Sequence, residues 1–186
     1  MNSIIFKPLT LDNWDDFERL FGENGADGGC WCMFYRVKGT DFSKKRGNGN
    51  KNDMKLLVEN NNQPGILAYV DNIPAGWVSL APRDEFTRIN RSPVLKKIDD
   101  KPVWSIVCFF IEQNYRKLGL SEKLLEYAIK YAKDKGATII EGYPRDEKSK
   151  PDSHMYVGVY SSFKKMGFVE VVRRNKNRPI MRYYIS

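Results

Sequence analysis

The densest chemical signal in the chain is a junction between a strand and a helix. The run Val103-Trp104-Ser105-Ile106-Val107-Cys108-Phe109-Phe110-Ile111 is the most apolar stretch and reads as a central buried strand. It delivers Tyr115-Arg116-Lys117-Leu118-Gly119-Leu120-Ser121 onto a strongly periodic segment. The first N–H groups of a helix lack intrahelical partners and lie at the positive end of its dipole, so such a junction binds anions. Gly119 lets the backbone approach a phosphate with no β-carbon in the way, and Arg116 and Lys117 add charge beside it. The spacing is not that of a Walker loop, because the Gly-Lys-Ser/Thr ending is absent, nor is it the Gly-X-Gly-X-X-Gly dinucleotide pattern. The plainer alternative is a helix start flanked by solvated basic residues.

The elements that must position this junction follow from periodicity and turn chemistry. Residues 4–9 read as a strand closed by Pro8, after which Thr10 or Asp12 caps a helix carrying Trp14, Phe17, Leu20 and Phe21 and stopped by Gly22. An irregular stretch with Gly25, Gly28 and Gly29 leads into the aromatic cluster Cys30-Trp31-Cys32-Met33-Phe34-Tyr35. Residues 44–53 are charged, contain Gly47 and Gly49 and lack an apolar anchor, which predicts a mobile loop before a short helix around Met54–Val58. Residues 65–70 and 73–80 predict a hairpin about Asp71-Asn72. Residues 82–101 are polar and irregular, with a helical turn at Asp84–Ile89. Leu120, Leu124, Leu125, Ala128, Ile129 and Ala132 form the stripe of a helix ending at Lys135-Gly136. A strand at 137–144, a helix at about 156–165 stopped by Gly167, and strands at 168–174 and 180–185 complete the order β-α-α-β-β-β-α-β-α-β-β, a mixed α/β domain.

In Arg116-Lys117-Leu118-Gly119-Leu120-Ser121, opening a long helix after a strand, the sequence resembles the GNAT superfamily of acyl-CoA-dependent N-acyltransferases. That family's signature is Arg/Gln-X-X-Gly-X-Gly/Ala; Ser121 stands where glycine or alanine is usual, a small residue that keeps the loop tight. The likeness continues through residues 137–143 and the helix ending Phe163-Lys164-Lys165-Met166-Gly167-Phe168, and the element order extends it over nearly the whole chain. It implies one domain over residues 1–186, built on a mostly antiparallel sheet splayed between the strands at 103–111 and 137–143, with helices on both faces. The CoA-binding core would span about 103–168, and the acceptor side about 22–62 and 81–101. Acetyl-CoA would be the co-substrate, with its pyrophosphate on the amides of residues 116–121. Its pantetheine would lie along Phe109, Phe110 and Ile111, with Tyr156 beside it. The activity implied is transfer of an acetyl group to a primary amine of a small molecule or a peptide. An idle domain that binds acyl-CoA as a sensor or structural module is the alternative.

Direct transfer needs an acceptor ammonium to lose a proton and a thiolate, as a rule, to gain one. Members of the family commonly place a tyrosine acid four residues before the Gly-Phe pair; that position here is Phe163, which has no proton to give. Tyr160, one turn back on the same helical face, is the substitute candidate, with packing on the sheet as its alternative. A thiol pKa of about 8.5 also makes the thiolate a tolerable leaving group without an acid. Candidate bases are Glu112, Glu141, Asp84, Glu85 and His154, the single histidine, which lies just after the polar stretch 148–153.

Cys30-Trp31-Cys32, Ala81-Pro82-Arg83 and Cys108-Phe109-Phe110 occur together, as in a bacterial GNAT subgroup that the chain resembles. Trp31, Met33 and Tyr35 are candidate walls of the acceptor pocket, with core packing as the alternative. Structural zinc wants four Cys or His ligands, with cysteine pairs two to four residues apart. Only Cys108 and His154 could complete such a set here, so no metal is expected.

Composition narrows the remaining choices. With 41% hydrophobic and 29% charged residues, the chain is neither a disordered tail nor a fibre. No run approaches the roughly 20 apolar residues of a membrane span, and residues 1–8 are too soon interrupted for a signal peptide. Three cysteines cannot all pair with one another, which fits a reducing, cytoplasmic setting. The 31 Lys and Arg against 23 Asp and Glu leave a net +8, concentrated at 44–46 and 173–178. Neither run interleaves aromatics with its charges, so nucleic acid is not expected as a partner, and a monomer or homodimer is.

Overall fold

The computed structural model describes residues 3–146 and 156–185. Seven strands form one sheet: β1 (Ile4–Pro8), β2 (Gly65–Val70), β3 (Ile73–Pro82), β4 (Trp104–Ile111), β5 (Ile139–Gly142), β6 (Val169–Val172) and β7 (Ile180–Tyr184). Their spatial order is β1-β2-β3-β4-β5-β7-β6, and every neighbouring pair is antiparallel except β4 with β5. Around the sheet lie α1 (Trp14–Phe21), α2 (Gly39–Lys44), α3 (Asn48–Glu59), α4 (Thr87–Arg91), α5 (Leu120–Asp134) and α6 (Tyr160–Lys165). The architecture is the mixed, mostly antiparallel one expected from the sequence.

The period-2 alternation of the strands divides the core into two faces. Ile66, Ala68 and Val70 of β2 turn to the same face as the α5 stripe of Leu124, Leu125, Ala128 and Ala132. Leu67 and Tyr69, one residue out of phase, join Trp77 against Trp14, Phe17 and Phe21 of α1 and Met54 and Val58 of α3. β2 is buried along its whole length because both faces are covered. The β2–β3 hairpin turns at Asp71 (φ 50°) and Asn72 (φ 65°), two left-handed residues of the kinds that tolerate that region, which matches the twist of the strands.

Residues 44–53 correct the expectation of a mobile loop, for α2 ends there and α3 begins. The anchor is polar. Asn50 is fully buried, its Nδ2 donates to the Gly29 carbonyl at 2.9 Å, and the Gly47 amide donates to the same oxygen at 3.0 Å. Lys45 spans the turn to pair with Asp53 at 2.7 Å. Hydrophobic periodicity cannot register an asparagine used in this way.

The feature that creates a site is the divergence of β4 from β5. Their pairing is confined to Trp104↔Ile140, Ser105↔Glu141 and Ile106↔Gly142, whereas β3 stays paired with β4 as far as Ile111, across one register shift between Ser79 and Leu80. Residues 107–111 have no strand partner on the β5 side among the described residues. Phe163 of α6 occupies the wedge, fully buried and edge-on to Phe109 at 6.2 Å and to Phe168 at 4.9 Å. Its ring lies so close to Gly142 and Gly158 that a β-carbon at either position would collide with it. Gly142→Ala is therefore expected to cost about 1–3 kcal/mol through overpacking. Thermal melts in a double-mutant cycle with Phe163→Ala will show non-additive losses, because the smaller side chain vacates the contested space.

Candidate functional site

Where β4 parts from β5, a cavity of about 490 Å³ opens at the start of α5. Its floor is Phe109 and Ile111 of β4, its rim the loop 116–121, and its far wall Tyr156, Gly158, Val159, Ser162 and Phe163. The loop takes two left-handed residues, Lys117 (φ 63°) and Gly119 (φ 75°), to turn the chain into the helix. No side chain caps the helix; Glu122 and Lys123 are the first amides to reach a carbonyl, both at Gly119 O (3.1 and 3.2 Å). The Arg116 amide is spent on the Gln113 carbonyl at 3.3 Å, and those of residues 117–121 have no backbone acceptor among the described residues, as an anion site requires. Arg116 Nε donates to the Ile111 carbonyl at 3.0 Å, tying the loop to the end of β4. Glu122, the one acid of the first helical turn, is drawn off by Lys165 of α6 at 2.6 Å. That ion pair holds its carboxyl below the usual range.

A second cavity, of about 370 Å³, lies on the α1 side of the strand and is lined in part by Cys30, Cys32, Cys108, Phe34, Tyr35 and Phe110. Tyr156 lines both cavities and so stands where they meet. Burial raises the pKa of its phenol above the ordinary tyrosine value. The three thiols are unpaired. Cys32 accepts from Trp77 Nε1 at 3.2 Å, and a hydrogen bond from Cys108 favours its thiolate while pushing the Cys108 thiol up. Burial pushes the Cys30 thiol up to about 11. Among the described residues, no group of three or more His, Cys, Asp or Glu side chains is placed to hold a metal.

Of the residues expected along the cofactor, Phe109, Ile111, Arg116, Lys117, Gly119, Leu120, Ser121 and Tyr156 line the first cavity. Two do not. Leu118 is 68% exposed. Phe110, one residue out of phase with Phe109, points to the other face, packs on Phe21 at 5.4 Å and lines the second cavity. Of the expected acceptor walls, Tyr35 lines the second cavity, its hydroxyl accepting from Arg178 Nη2 at 2.7 Å. Trp31 and Met33 are corrections, because both are core residues exposed by only 3%. Trp31 stacks on Phe21 (5.7 Å, 15°), and the chain reaches that position through left-handed backbone at Trp31 (φ 46°) and Cys32 (φ 59°). Periodicity cannot foresee consecutive left-handed residues without glycine.

The candidate acid and bases are redistributed as well. Tyr160 lines neither cavity; its ring lies under the Arg173 guanidinium at 5.6 Å. Glu141 is 1% exposed and has no lone pairs to spare. It pairs with Arg83 at 2.7 Å and Arg182 at 2.8 Å and accepts from the Tyr143 hydroxyl at 2.8 Å. This side chain is a structural anchor, not a base facing the cleft. Glu141→Gln leaves the buried Arg83 without a counter-charge and Arg182 with Asp99 alone, and is expected to cost about 3–5 kcal/mol. A thermal melt will register that as roughly 6–20 °C for a chain of this size. Glu112 caps the Asn114 amide at 2.8 Å, and Glu85 pairs with Arg36 at 2.8 Å. Asp84 pairs with Lys97 at 3.5 Å. His154 lies outside the described residues. The residue that spacing did not single out is Asp27, the one carboxylate lining the second cavity among the described residues. Its sequence signal is an acid set among Gly25, Gly28 and Gly29, in a loop whose backbone includes Ala26 at φ 68°.

A strand edge freed by splaying, beside a basic loop that opens a long helix, defines an acyltransferase fold. Residues 31–156 match the Acetyltransferase (GNAT) family, and the chain belongs to that family. No curated protein matches the sequence. Among solved structures, the PaiA N-acetyltransferase of Thermoplasma acidophilum in complex with coenzyme A is 16% identical, with a TM-score of 0.57 over 98% of this chain and 99% of that one. A GNAT acetyltransferase of Listeria monocytogenes gives a TM-score of 0.62 at 9% identity over 98% and 95%. Another, of Streptococcus pneumoniae, gives 0.58 at 13% over 98% and 100%. The chain is thus an acyltransferase, and none of its described helices is long and apolar enough to cross a membrane.

Proposed function

We propose that this protein transfers the acetyl group of acetyl-CoA directly to a primary amine within a ternary complex. The observation that carries this reading is Tyr156, which belongs to two cavities at once, one at the helix start and one on the acceptor side. The amides of residues 119–121 and the charges of Arg116 and Lys117 would hold the CoA pyrophosphate, and the unpaired edge of β4 would run beside pantetheine. A β4 amide there would donate to the carbonyl oxygen as negative charge gathers on it.

The acceptor nitrogen, entering from the second cavity, bonds to the acyl carbon as the carbon–sulfur bond breaks. Tyr156 gives its hydroxyl proton to the departing thiolate and regains one from solvent, into which the amine releases its own. Phe163 is replaced in that role because it fills the wedge at Gly142 and Gly158 and has no proton to offer. The test is thiol release from acetyl-CoA with a panel of amines. Turnover supports transfer; tight CoA binding without turnover across the panel supports the second reading, an idle acyl-CoA-binding domain, which the buried Phe163 favours.

A further inference from the structure

We propose that the acceptor is an amine of about amino-acid size that carries its own anionic group, a carboxylate or a phosphate. This deepens the acyl-transfer reading and rests on it for the placement of the acceptor in the second cavity.

The observation is the distribution of charge around that cavity. The three buried arginines pair with carboxylates: Arg36 with Glu85 at 2.8 Å, Arg83 with Glu141 at 2.7 Å, and Arg182 with Asp99 at 2.6 Å. Arg88, half-buried, lies over the Phe34 ring at 3.8 Å instead. Arg178 is held differently again. It is half-buried and lines the cavity, yet its hydrogen bonds go to neutral oxygens, the Tyr143 carbonyl at 3.0 Å through Nε and the Tyr35 hydroxyl at 2.7 Å through Nη2. Among the described residues no carboxylate comes within ion-pair distance of it. Those two bonds fix the plane of the guanidinium while no described carboxylate answers its charge, an arrangement that suits a fork-like grip on a carboxylate or phosphate. Arg145 lines the same cavity, and Arg46, exposed and, like Arg178, without a carboxylate partner among the described residues, adds a further cation at the rim.

Asp27 supplies the opposite sign. It lines the same cavity and is close enough to Tyr156 and Cys108 to act on both electrostatically. An ammonium beside Asp27 and an anion at Arg178 place both charges of a zwitterion, while Phe34, Phe42 and Phe110 receive its apolar part. A volume of about 370 Å³ admits an amino acid or a molecule of similar size. A lone neutral amine would leave the guanidinium of Arg178 unanswered in a half-buried site, at a desolvation cost.

The experiment titrates the CoA-saturated protein calorimetrically with matched pairs: alanine, phenylalanine and glutamate against their methyl esters, and phosphoethanolamine against ethanolamine. Turnover of each compound with acetyl-CoA is measured in parallel. At least one anionic member is expected to bind about tenfold or more tightly than its partner, as loss of one charge-assisted pair implies. The carboxylate and phosphate arms show which anion is favoured. Arg178→Gln is expected to abolish the preference and Arg178→Lys to retain part of it. Arg46→Gln, on an exposed turn, is expected to narrow it with no effect on folding. Equal binding within every pair, or a preference that survives in both glutamine variants, overturns the proposal. A preference without acetylation by acetyl-CoA overturns the transfer reading and leaves this one standing. Acetylation of the neutral members as readily as of the anionic ones does the reverse.

Discussion

Replacing Tyr156 with phenylalanine is expected to lower kcat by about 10²–10⁴-fold, the range spanned by loss of a positioned general acid. CoA affinity should stay within a few-fold, since the ring that lines both cavities is kept. The pH dependence separates loss of the acid from a change of shape. An acid must be protonated to act, so the wild-type rate should fall as pH rises through the Tyr156 pKa. Burial raises that pKa above the ordinary tyrosine value and moves the fall to higher pH. The phenylalanine variant should lack this alkaline limb, its remaining rate following only the ionisation of the amine. Tyr160→Phe, whose ring lies against Arg173 and away from both cavities, should keep near wild-type kcat and the same profile. Stopped kinetics across pH on the three proteins checks all of this.

Gly119→Glu is expected to weaken CoA binding by about 100-fold or more. A carboxylate about 4 Å from a phosphate meets a repulsion of about 4 kcal/mol at an effective dielectric of about 20, and tenfold in affinity corresponds to about 1.4 kcal/mol. Two effects on stability oppose each other in the same variant. The left-handed φ of 75° strains any side chain, whereas a negative charge at a helix start interacts favourably with the dipole. Folding should therefore change by only about 1–2 kcal/mol, and the loss of binding cannot be ascribed to unfolding. Gly119→Ala adds the strain and a β-carbon without the charge, and that β-carbon meets no protein atom within 4 Å. It occupies the space glycine leaves open to a phosphate, so it should weaken CoA binding, but by less than Gly119→Glu does. Titration calorimetry alongside thermal melts distinguishes the two variants.

What was legible in the sequence, and what was not, divides along physical lines. The α5 stripe, the apolar run of β4 and the Asp71-Asn72 turn are local patterns, and each element formed where its pattern lies. The loop 116–121 is local in the same way, and five of its six contiguous residues line the first cavity. The acceptor side could not. Trp31 and Met33 entered the core because the backbone turns left-handed at Trp31 and Cys32, a choice that no periodic pattern announces. Phe110 and Phe109 differ only in phase, and which of them faces the helix start depends on how the sheet is covered.

Tyr160 and Tyr156 lie on one helical face only if the helix reaches back to 156. It begins at Tyr160, and residues 156–159 depart from it, which sends Tyr156 alone into the site. Glu141 was marked as a base by its strand position, but it faces Arg83 and Arg182, residues far from it in sequence. Asp27 depends on a loop whose path is fixed by contacts with the α2–α3 turn, through the two hydrogen bonds that Gly29 O accepts.

The central claim is that the two cavities meeting at Tyr156 carry an acyl group from CoA to an amine. Its most direct measurement incubates the protein with acetyl-CoA and the amine panel and follows free thiol and product mass together. Thiol release matched one for one by an amine heavier by an acetyl group is expected, with collapse of both signals in Tyr156→Phe. Tight CoA binding with neither signal across the panel, or full activity in Tyr156→Phe, would contradict it.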